Sequence, residues 1–352
     1  MKRWMAGAVA VLAAVAGLAA SGPVSASSNG WYQVLQVNRS GSFSEIAALS
    51  KTNIWAVGNL FDKKDNIIRQ PFIRHYDGGS WTTVTIPGAP RFESDQVSAS
   101  AANNVWVVGL NSFTPASSAA YRFDGSRWHR VPVPAQTFLQ GVVALGPKNV
   151  WAFGSSGTLF PPHGDQGADV FHWNGTKWRG YFLNFLPQSV SASSSRNVWV
   201  AGLTFTRPNQ RVGAYRWNGS GWHKVAMPHP VPGDGPQVTA FSRANVWIGW
   251  DGTLRPHGLH WDGEHWQTLT IPDNVNAVTR NVVRDGKGGY WFGDAAILTG
   301  STWTNEPLPE LGASAGLGPI VRIRGTESFL QPATLQNFGS SVSKPTIYRF
   351  DL

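Results

Sequence analysis

The chain has 352 residues, of which 42% are hydrophobic and 14% are charged, and this composition excludes an intrinsically disordered protein. It contains no cysteine, so its stability must come from packing rather than from disulfides, and its 18 tryptophans fit that need. The formal net charge is +9, a sign that suits anionic cell-wall polymers, but the basic residues are scattered and this argues against a nucleic-acid-binding protein.

Residues 1–26 have the pattern of a signal peptide. Lys2 and Arg3 form a positive end, Met5–Ala20 is an apolar run, and Val24-Ser25-Ala26 fits a small-x-small cleavage site. The run is shorter than the ~20 apolar residues that a membrane-spanning helix needs. We therefore expect no membrane span, and a secreted, extracellular protein that starts near Ser27 with a net charge of +7.

One phrase recurs along the chain and divides it into repeats. It begins Asn-Val-Trp-(Ala/Val)-x-Gly, continues to aromatic-basic-aromatic-(Asp/Asn)-Gly, and ends with Trp-x-x-(Val/Leu)-x-x-Pro. Its first tryptophans lie 44 to 51 residues apart and are Trp55, Trp106, Trp151, Trp199, Trp247 and Trp291. Its second tryptophans are Trp81, Trp128, Trp178, Trp222, Trp266 and Trp303. This period predicts one four-stranded blade of a β-propeller per repeat, with the tryptophans as wedges between blades.

Blade two shows the expected strand order. Its predicted strands are Val97–Ser100, Val105–Leu110, Ala119–Phe123 and Trp128–Val133, counted outward from the centre. Asp124-Gly125 joins the third and fourth strands as a tight hairpin, because glycine tolerates a positive φ. A basic residue recurs in the third strands, which indicates a structural role in hydrogen bonding to the neighbouring strand: His75, Arg122, His172, Arg216, His260 and Arg349.

The two ends of the mature chain are predicted to complete one blade together. Ile347–Leu352 is typical of a third strand cut off at its hairpin, and Asn29–Val34 of the missing outer strand, with Trp31 as its second tryptophan. The blade begins within Gly312–Leu335, where Phe329 replaces the first tryptophan. We therefore expect an all-β fold, a seven-bladed β-propeller over residues 27–352, closed by pairing of the N-terminal strand with the C-terminal blade.

The connections predict which face of the propeller carries a site. The hairpin face holds the short turns between first and second and between third and fourth strands, and the link face holds the longer, variable links. Variable loops on a rigid scaffold often carry binding sites, so we expect the site on the link face. Polar residues there begin the inner strands of six blades: Glu45, Gln96, Gln140, Gln188, Gln237 and Asn281. Such a ring would suit glycan hydroxyls, and the alternative is a water-filled channel with neutral polar walls.

Aromatic residues follow the second strand in five blades and are a second set of candidate ligand-binding residues. They are Phe61, Phe113, Phe160, Phe205 and Trp250. Exposed rings at these positions would stack on sugar rings, or equally on peptide or base rings. The alternative is that each ring packs down on its own blade.

The sequence contains no recognisable catalytic or cofactor motif. It has no metal-ligand spacing, no Gly-x-Ser-x-Gly and no phosphate-binding loop, so we expect no metal, no cofactor and no catalytic residue. Glycosidases need two carboxylates at a fixed separation, whereas glutamates are few here and several aspartates belong to hairpins. A lyase set of His163, Asp165 and Tyr181 has no motif to support it.

The repeated phrases at Asn197–Gly202 and Trp217–Trp222 resemble those of secreted β-propellers of actinobacteria. That group includes propeller lectins, among them the lectin subunit of umbrella toxin particles. The resemblance implies a targeting role, in which the ring binds target-cell glycans and another surface docks a partner protein. It specifies blade architecture and no individual ligand-binding residue.

Three functions follow as hypotheses. The first is a secreted carbohydrate-binding, lectin-like module for glycans or cell-wall polysaccharide. In a more specific form of this hypothesis, the module is the targeting component of a larger secreted toxin or cell-surface complex. The second is a polysaccharide lyase or glycoside hydrolase on a propeller scaffold. The third is a scaffold between secreted proteins.

Overall fold

The structure is a computed structural model. It describes residues 30–62, 67–89, 92–113, 116–135, 137–156, 170–204, 211–228, 234–251, 256–275, 279, 281–293, 296–305, 315–336 and 343–351. The predicted signal peptide, residues 1–26, lies outside these ranges. Within them every regular element is a strand, and no helix is long and apolar enough to cross a membrane.

The described strands form seven antiparallel sheets arranged as blades, which confirms the predicted fold. Blade one contains β2 (Gly41–Ser50), β3 (Asn53–Phe61), β4 (Ile67–Tyr76) and β5 (Trp81–Val84). Blade two contains β6 (Gln96–Ala101), β7 (Asn104–Phe113), β8 (Ala116–Phe123) and β9 (Trp128–Arg130). Blade three contains β10 (Thr137–Gly146), β11 (Asn149–Ser156), β12 (Val170–Trp173) and β13 (Trp178–Tyr181).

The next three blades repeat this order from the inner to the outer strand. Blade four contains β14 (Leu186–Ser194), β15 (Asn197–Leu203), β16 (Val212–Trp217) and β17 (Trp222–Val225). Blade five contains β18 (Asp234–Ser242), β19 (Asn245–Asp251), β20 (Pro256–Trp261) and β21 (Trp266–Thr268). Blade six contains β22 (Val282–Arg284), β23 (Tyr290–Phe292), β24 (Ala296–Thr299) and β25 (Thr302–Asn305).

Blade seven is built from both ends of the described chain. Its inner strand is divided into β26 (Ala315–Leu317) and β27 (Val321–Arg322), followed by β28 (Ser328–Gln336) and β29 (Ser343–Asp351). Its outer strand is β1 (Trp31–Gln36), which pairs antiparallel with β29 in the register Trp31 to Phe350. The predicted closure of the ring is therefore confirmed.

The tryptophans of the repeat meet between blades. The first tryptophan of one blade packs against the second of the next, with ring centroids 5.7 Å apart for Trp55 and Trp128 and 5.9 Å for Trp106 and Trp178. Trp31 keeps this rule, since its ring lies 6.1 Å from Trp291 in blade six. Each such ring buries ~150–250 Å² of surface, so the pairs are the main apolar filling between blades.

The asparagine of the phrase joins the second and third strands. In blade two, Asn104 Oδ1 accepts hydrogen bonds from Trp106 Nε1 at 3.1 Å and from Arg122 Nε at 2.9 Å. In blade one, Asn53 Oδ1 accepts from Trp55 Nε1 at 2.8 Å and lies 3.1 Å from His75 Nε2. His172 and His260 make the same contact with Asn149 and Asn245, so the predicted structural role is confirmed for these blades, whereas Arg216 in blade four lies over the Trp199 ring instead.

The glycine of the phrase is required by a close approach of two strands. A Cβ atom on Gly58, Gly154 or Gly202 would lie 1.9 to 2.0 Å from a carbonyl oxygen of the inner strand. No side chain fits in that space, so the residue must be glycine wherever this geometry is kept. The inner strand bulges beside each of these glycines.

Candidate functional site

The inner strands of the seven blades surround a central channel of about 1570 Å³. Each inner strand runs from the link face to the hairpin face, because each ends in the short turn to its second strand. The six polar residues predicted at the strand starts all line this channel: Glu45, Gln96, Gln140, Gln188, Gln237 and Asn281. Only Gln96 is the first residue of its strand, because the other inner strands begin earlier than predicted or, in blade six, one residue later. We call them the amide ring. Blade seven contributes Gly318 and Pro319 to the same wall.

β-bulges place two members of the amide ring. Gln140 falls between two paired positions of β10 and has no Cα partner on β11, and Gln188 has the same place between β14 and β15. In blade one the bulge falls on Ser44, immediately before Glu45. A bulged residue leaves the ladder and redirects its side chain, so these residues reach the channel at the expense of local pairing.

The amide ring holds hydrogen-bonding atoms that other described residues do not use. Gln188 Oε1 and Asn281 Oδ1 are buried and have no hydrogen-bond partner in the described part of the chain. Leaving such an acceptor unsatisfied costs ~1–3 kcal/mol, unless water or a ligand donates to it. Gln140, in contrast, is exposed to the channel. Both oxygens are covered by protein, so a hydroxyl-bearing ligand reaches them only if the side chain turns into the channel, whereas the Gln140 side chain is open to a ligand.

Glu45 is the only carboxylate among the described residues that line the channel. Burial raises its pKa to about 7, although a hydrogen bond from the backbone of Ile46 acts in the opposite direction. Near pH 7 a large fraction of Glu45 is therefore protonated, and its carboxyl group then donates as well as accepts a hydrogen bond.

The link-face aromatic residues do not form a common surface. Trp250 is only 2% exposed and stacks on His257 at 5.7 Å between ring centroids, so it packs into its own blade and the expectation of an exposed ring is wrong there. Phe61 is half-buried at the end of β3, and Phe113 is the last residue of β7. Phe160 and Phe205 lie outside the described residues.

Phe182 is an exposed aromatic residue that the sequence reasoning missed. It is 41% exposed and directly follows β13, the outer strand of blade three, and therefore lies on the link face. It falls in a link from the fourth strand to the next blade, whereas the predicted aromatic residues were sought after the second strand.

The structure gives no support to the three residues considered as a lyase site. Tyr181 packs in the blade interface, 5.7 Å from the Trp151 ring, while His163 and Asp165 lie outside the described residues. Within the described ranges no three His, Asp or Glu side chains cluster as a metal site requires.

Three arginines at the opposite end of the channel were also missed. Arg284, Arg322 and Arg324 line the channel toward the hairpin face, from blades six and seven. Each lies at or just beyond the end of an inner strand or its segment, as Arg284 ends β22 and Arg322 ends β27. A comparison of strand ends, made as it was for strand starts, would have found them.

Comparisons with known proteins show the fold. The chain matches no protein-family model, and no curated protein gives a significant match. It is similar to the solved structure of YCF48 bound to D1 peptide, with 14% identity, 94% of this chain and 97% of that chain covered, and a TM-score of 0.60.

Two further solved structures are similar to the chain. The β-propeller domain of the Trilobed protease from Pyrococcus furiosus has 9% identity, 89% and 93% coverage and a TM-score of 0.58. SapL1 lectin in complex with alpha methyl fucoside has 13% identity, 79% and 99% coverage and a TM-score of 0.49. At these identities the similarity is one of fold, so the functional argument has to come from the channel.

Proposed function

We propose that the protein is a secreted carbohydrate-binding module of lectin type, and that it binds glycan hydroxyls at the amide ring. The observation that carries this proposal is the convergence of six hydrogen-bonding side chains, one from each of six blades, on one channel. Side-chain amides both donate and accept, as sugar hydroxyls do, so the two sets of groups are complementary.

The unsatisfied acceptors give the proposal an energetic basis. If the side chain of Gln188 or Asn281 turns into the channel, a glycan hydroxyl that donates to its oxygen would remove the cost of leaving that oxygen unpaired. Protonated Glu45 would add a donor to the same ring. A ligand held in this way is neutral and rich in hydroxyl groups.

The scarcity of carboxylates among the described channel residues favours binding without turnover. Most glycosidases use two carboxyl groups flanking the scissile bond. Only Glu45 supplies one among the described channel residues. The lyase or hydrolase alternative therefore needs a second catalytic group from another part of the chain.

The cellular role is a further part of the proposal. The pattern of residues 1–26 supports secretion, and the resemblance to actinobacterial propellers supports a targeting role in a larger secreted assembly. In that role the channel would bind a glycan of the target cell, and another surface would dock a partner protein.

The test uses the mature chain on a glycan array, with titration calorimetry on the best ligand. The variant Gln140→Ala/Gln188→Ala removes two amides and is expected to weaken binding about 10-fold to 100-fold, from ~0.5–1.5 kcal/mol for each lost hydrogen bond. Gln267→Ala is the matched control, because this exposed glutamine lies on the outer strand β21. We expect it to bind as the wild type does.

Two results would refute the proposal. One is a wild-type chain that binds no glycan. The other is equal binding by the double variant and the control. Release of new reducing ends or of unsaturated sugars from a bound polysaccharide would instead support the enzymatic alternative.

A further inference from the structure

The hairpin-face end of the channel is basic, in contrast to the amide ring, which contains no basic residue. Arg284, Arg322 and Arg324 line the channel wall there. We call these three residues the arginine mouth. Arg284 and Arg324 are exposed and Arg322 is half-buried, so the charges face solvent.

The three side chains lie at different points around the opening. A Cβ atom on Gly286 would lie 2.3 Å from Arg322 Nη2, so the Arg322 guanidinium group covers the turn that follows Arg284. The backbone N–H of Arg324 donates to Ala48 O, and Arg324 Nη1 donates to Ser100 O, both at 3.3 Å. Arg324 thus reaches from blade seven past blade one to blade two.

No carboxylate in the described part of the chain forms an ion pair with these arginines. Arg284 instead lies over the Phe241 ring, 5.1 Å from its centroid. The nearby acidic residues are engaged elsewhere: Asp285 is buried and accepts the backbone N–H groups of Lys287 and Gly289, and Glu327 pairs with Lys287 at 3.6 Å. The charge of the mouth is therefore left for an external anion.

The surroundings indicate a hydrophilic ligand. Guanidinium groups bind carboxylate and sulfate through paired N–H donors. Protein partners usually add large apolar anchors to such charges. Phe182 is the one large hydrophobic side chain that is exposed in the described ranges, and it lies on the link face.

We propose that the arginine mouth binds the carboxylate or sulfate groups of an acidic polysaccharide. This is a second site, at the opposite end of the channel from the amide ring. It does not depend on the binding of a neutral glycan there.

The experiment measures the affinity of the mature chain for dextran sulfate and for neutral dextran at 0.15 M salt, about the physiological ionic strength. Arg284→Gln is the main variant, since the guanidinium group of Arg284 contacts a ring and no hydrogen-bond partner that the fold needs. We expect it to weaken binding of dextran sulfate about 5-fold to 10-fold, as expected for the loss of a charge-assisted contact. Neutral dextran should bind wild type and variant equally.

Lys224→Gln is the matched control. It removes the same charge from an exposed residue of the outer strand β17, far from the channel, and should change the affinity less than about 2-fold. Arg284→Gln/Arg324→Gln should weaken binding further, and its thermal unfolding is measured because Arg324 also hydrogen-bonds to blade two. The Gln140→Ala/Gln188→Ala variant should keep full affinity for dextran sulfate, which separates this proposal from that of the amide ring.

Three results would overturn the inference. The first is that Arg284→Gln and Lys224→Gln weaken dextran sulfate binding equally, which would mean that the overall charge of the protein attracts the polymer. The second is equal affinity for dextran sulfate, poly-glutamate and duplex DNA, which means that the mouth does not select a polysaccharide. The third is wild-type affinity in the folded double arginine variant.

Discussion

Replacement of Glu45 by glutamine tests the environment of the channel directly. Burial raises the pKa of Glu45 to about 7, compared with 4.5 for an exposed glutamate. The variant Glu45→Gln keeps the size and most of the hydrogen-bonding capacity of the side chain and removes its titration. Any pH-dependent difference in stability between wild type and variant then reports on this one group.

The sign of the effect follows from the direction of the pKa change. Because the folded state holds the Glu45 proton more tightly than the unfolded state does, wild-type stability falls as pH rises from about 4.5 to about 7. The difference between these two pKa values corresponds to ~3 kcal/mol. Glu45 is only half-buried and water in the channel screens its charge, so we expect about 1–2 kcal/mol.

The assay is urea unfolding followed by tryptophan fluorescence at pH 5 and pH 8. The free energy of unfolding of Glu45→Gln, relative to wild type, should be about 1–2 kcal/mol higher at pH 8 than at pH 5. Glu264→Gln, on the exposed hairpin of blade five, is the control and should show no such change. An equal difference for Glu45→Gln at both pH values would refute the raised pKa of this carboxyl group.

Two further predictions concern the fold. Gly154→Ala should destabilise the protein by about 2–3 kcal/mol, because the added methyl group would meet an inner-strand carbonyl oxygen at 1.9 Å, whereas Gly146→Ala has nothing within 4 Å and should change the urea midpoint little. Deletion of β1 should abolish the cooperative unfolding transition, since it removes the partner of β29 and the buried Trp31. A truncated chain that melts as the intact one does would show that closure of the ring is unnecessary for folding.

Most of the fold could be predicted from the repeat, because the packing between blades makes the same demand at each interface. A tryptophan is needed at the second strand and another at the outer strand, so both recur at blade spacing. The assignment of Trp31 to the outer strand of blade seven combined this rule with the third strand that ends the sequence, and the contact of Trp31 with Trp291 confirms it. The prediction that Phe329 takes the place of the first tryptophan in blade seven is also confirmed, because Phe329 is fully buried against Trp291.

The candidate site was harder to predict from the sequence, because the exposure of a side chain depends on tertiary packing that a residue pattern does not contain. Trp250 and Phe182 show this clearly, as the ring predicted to be exposed is buried and the ring that was overlooked is exposed. Position along a strand was the better guide: Glu45 and the five amides do line one channel, although the inner strands of most blades begin earlier than predicted. Their role in binding stays a prediction.

The different chemistry of the two channel ends follows from the direction of the inner strands. All seven run from the link face to the hairpin face, so residue position within the strand becomes position along the channel axis. A polar residue repeated in, or just before, the first half of the inner strands becomes a ring toward one end, and the arginines at or just beyond the strand ends of blades six and seven become an arc at the other. A propeller can therefore alter one end of its channel without changing the other, because most blades contribute to only one of the two ends, and on blade six Asn281 and Arg284 are separate positions of the chain.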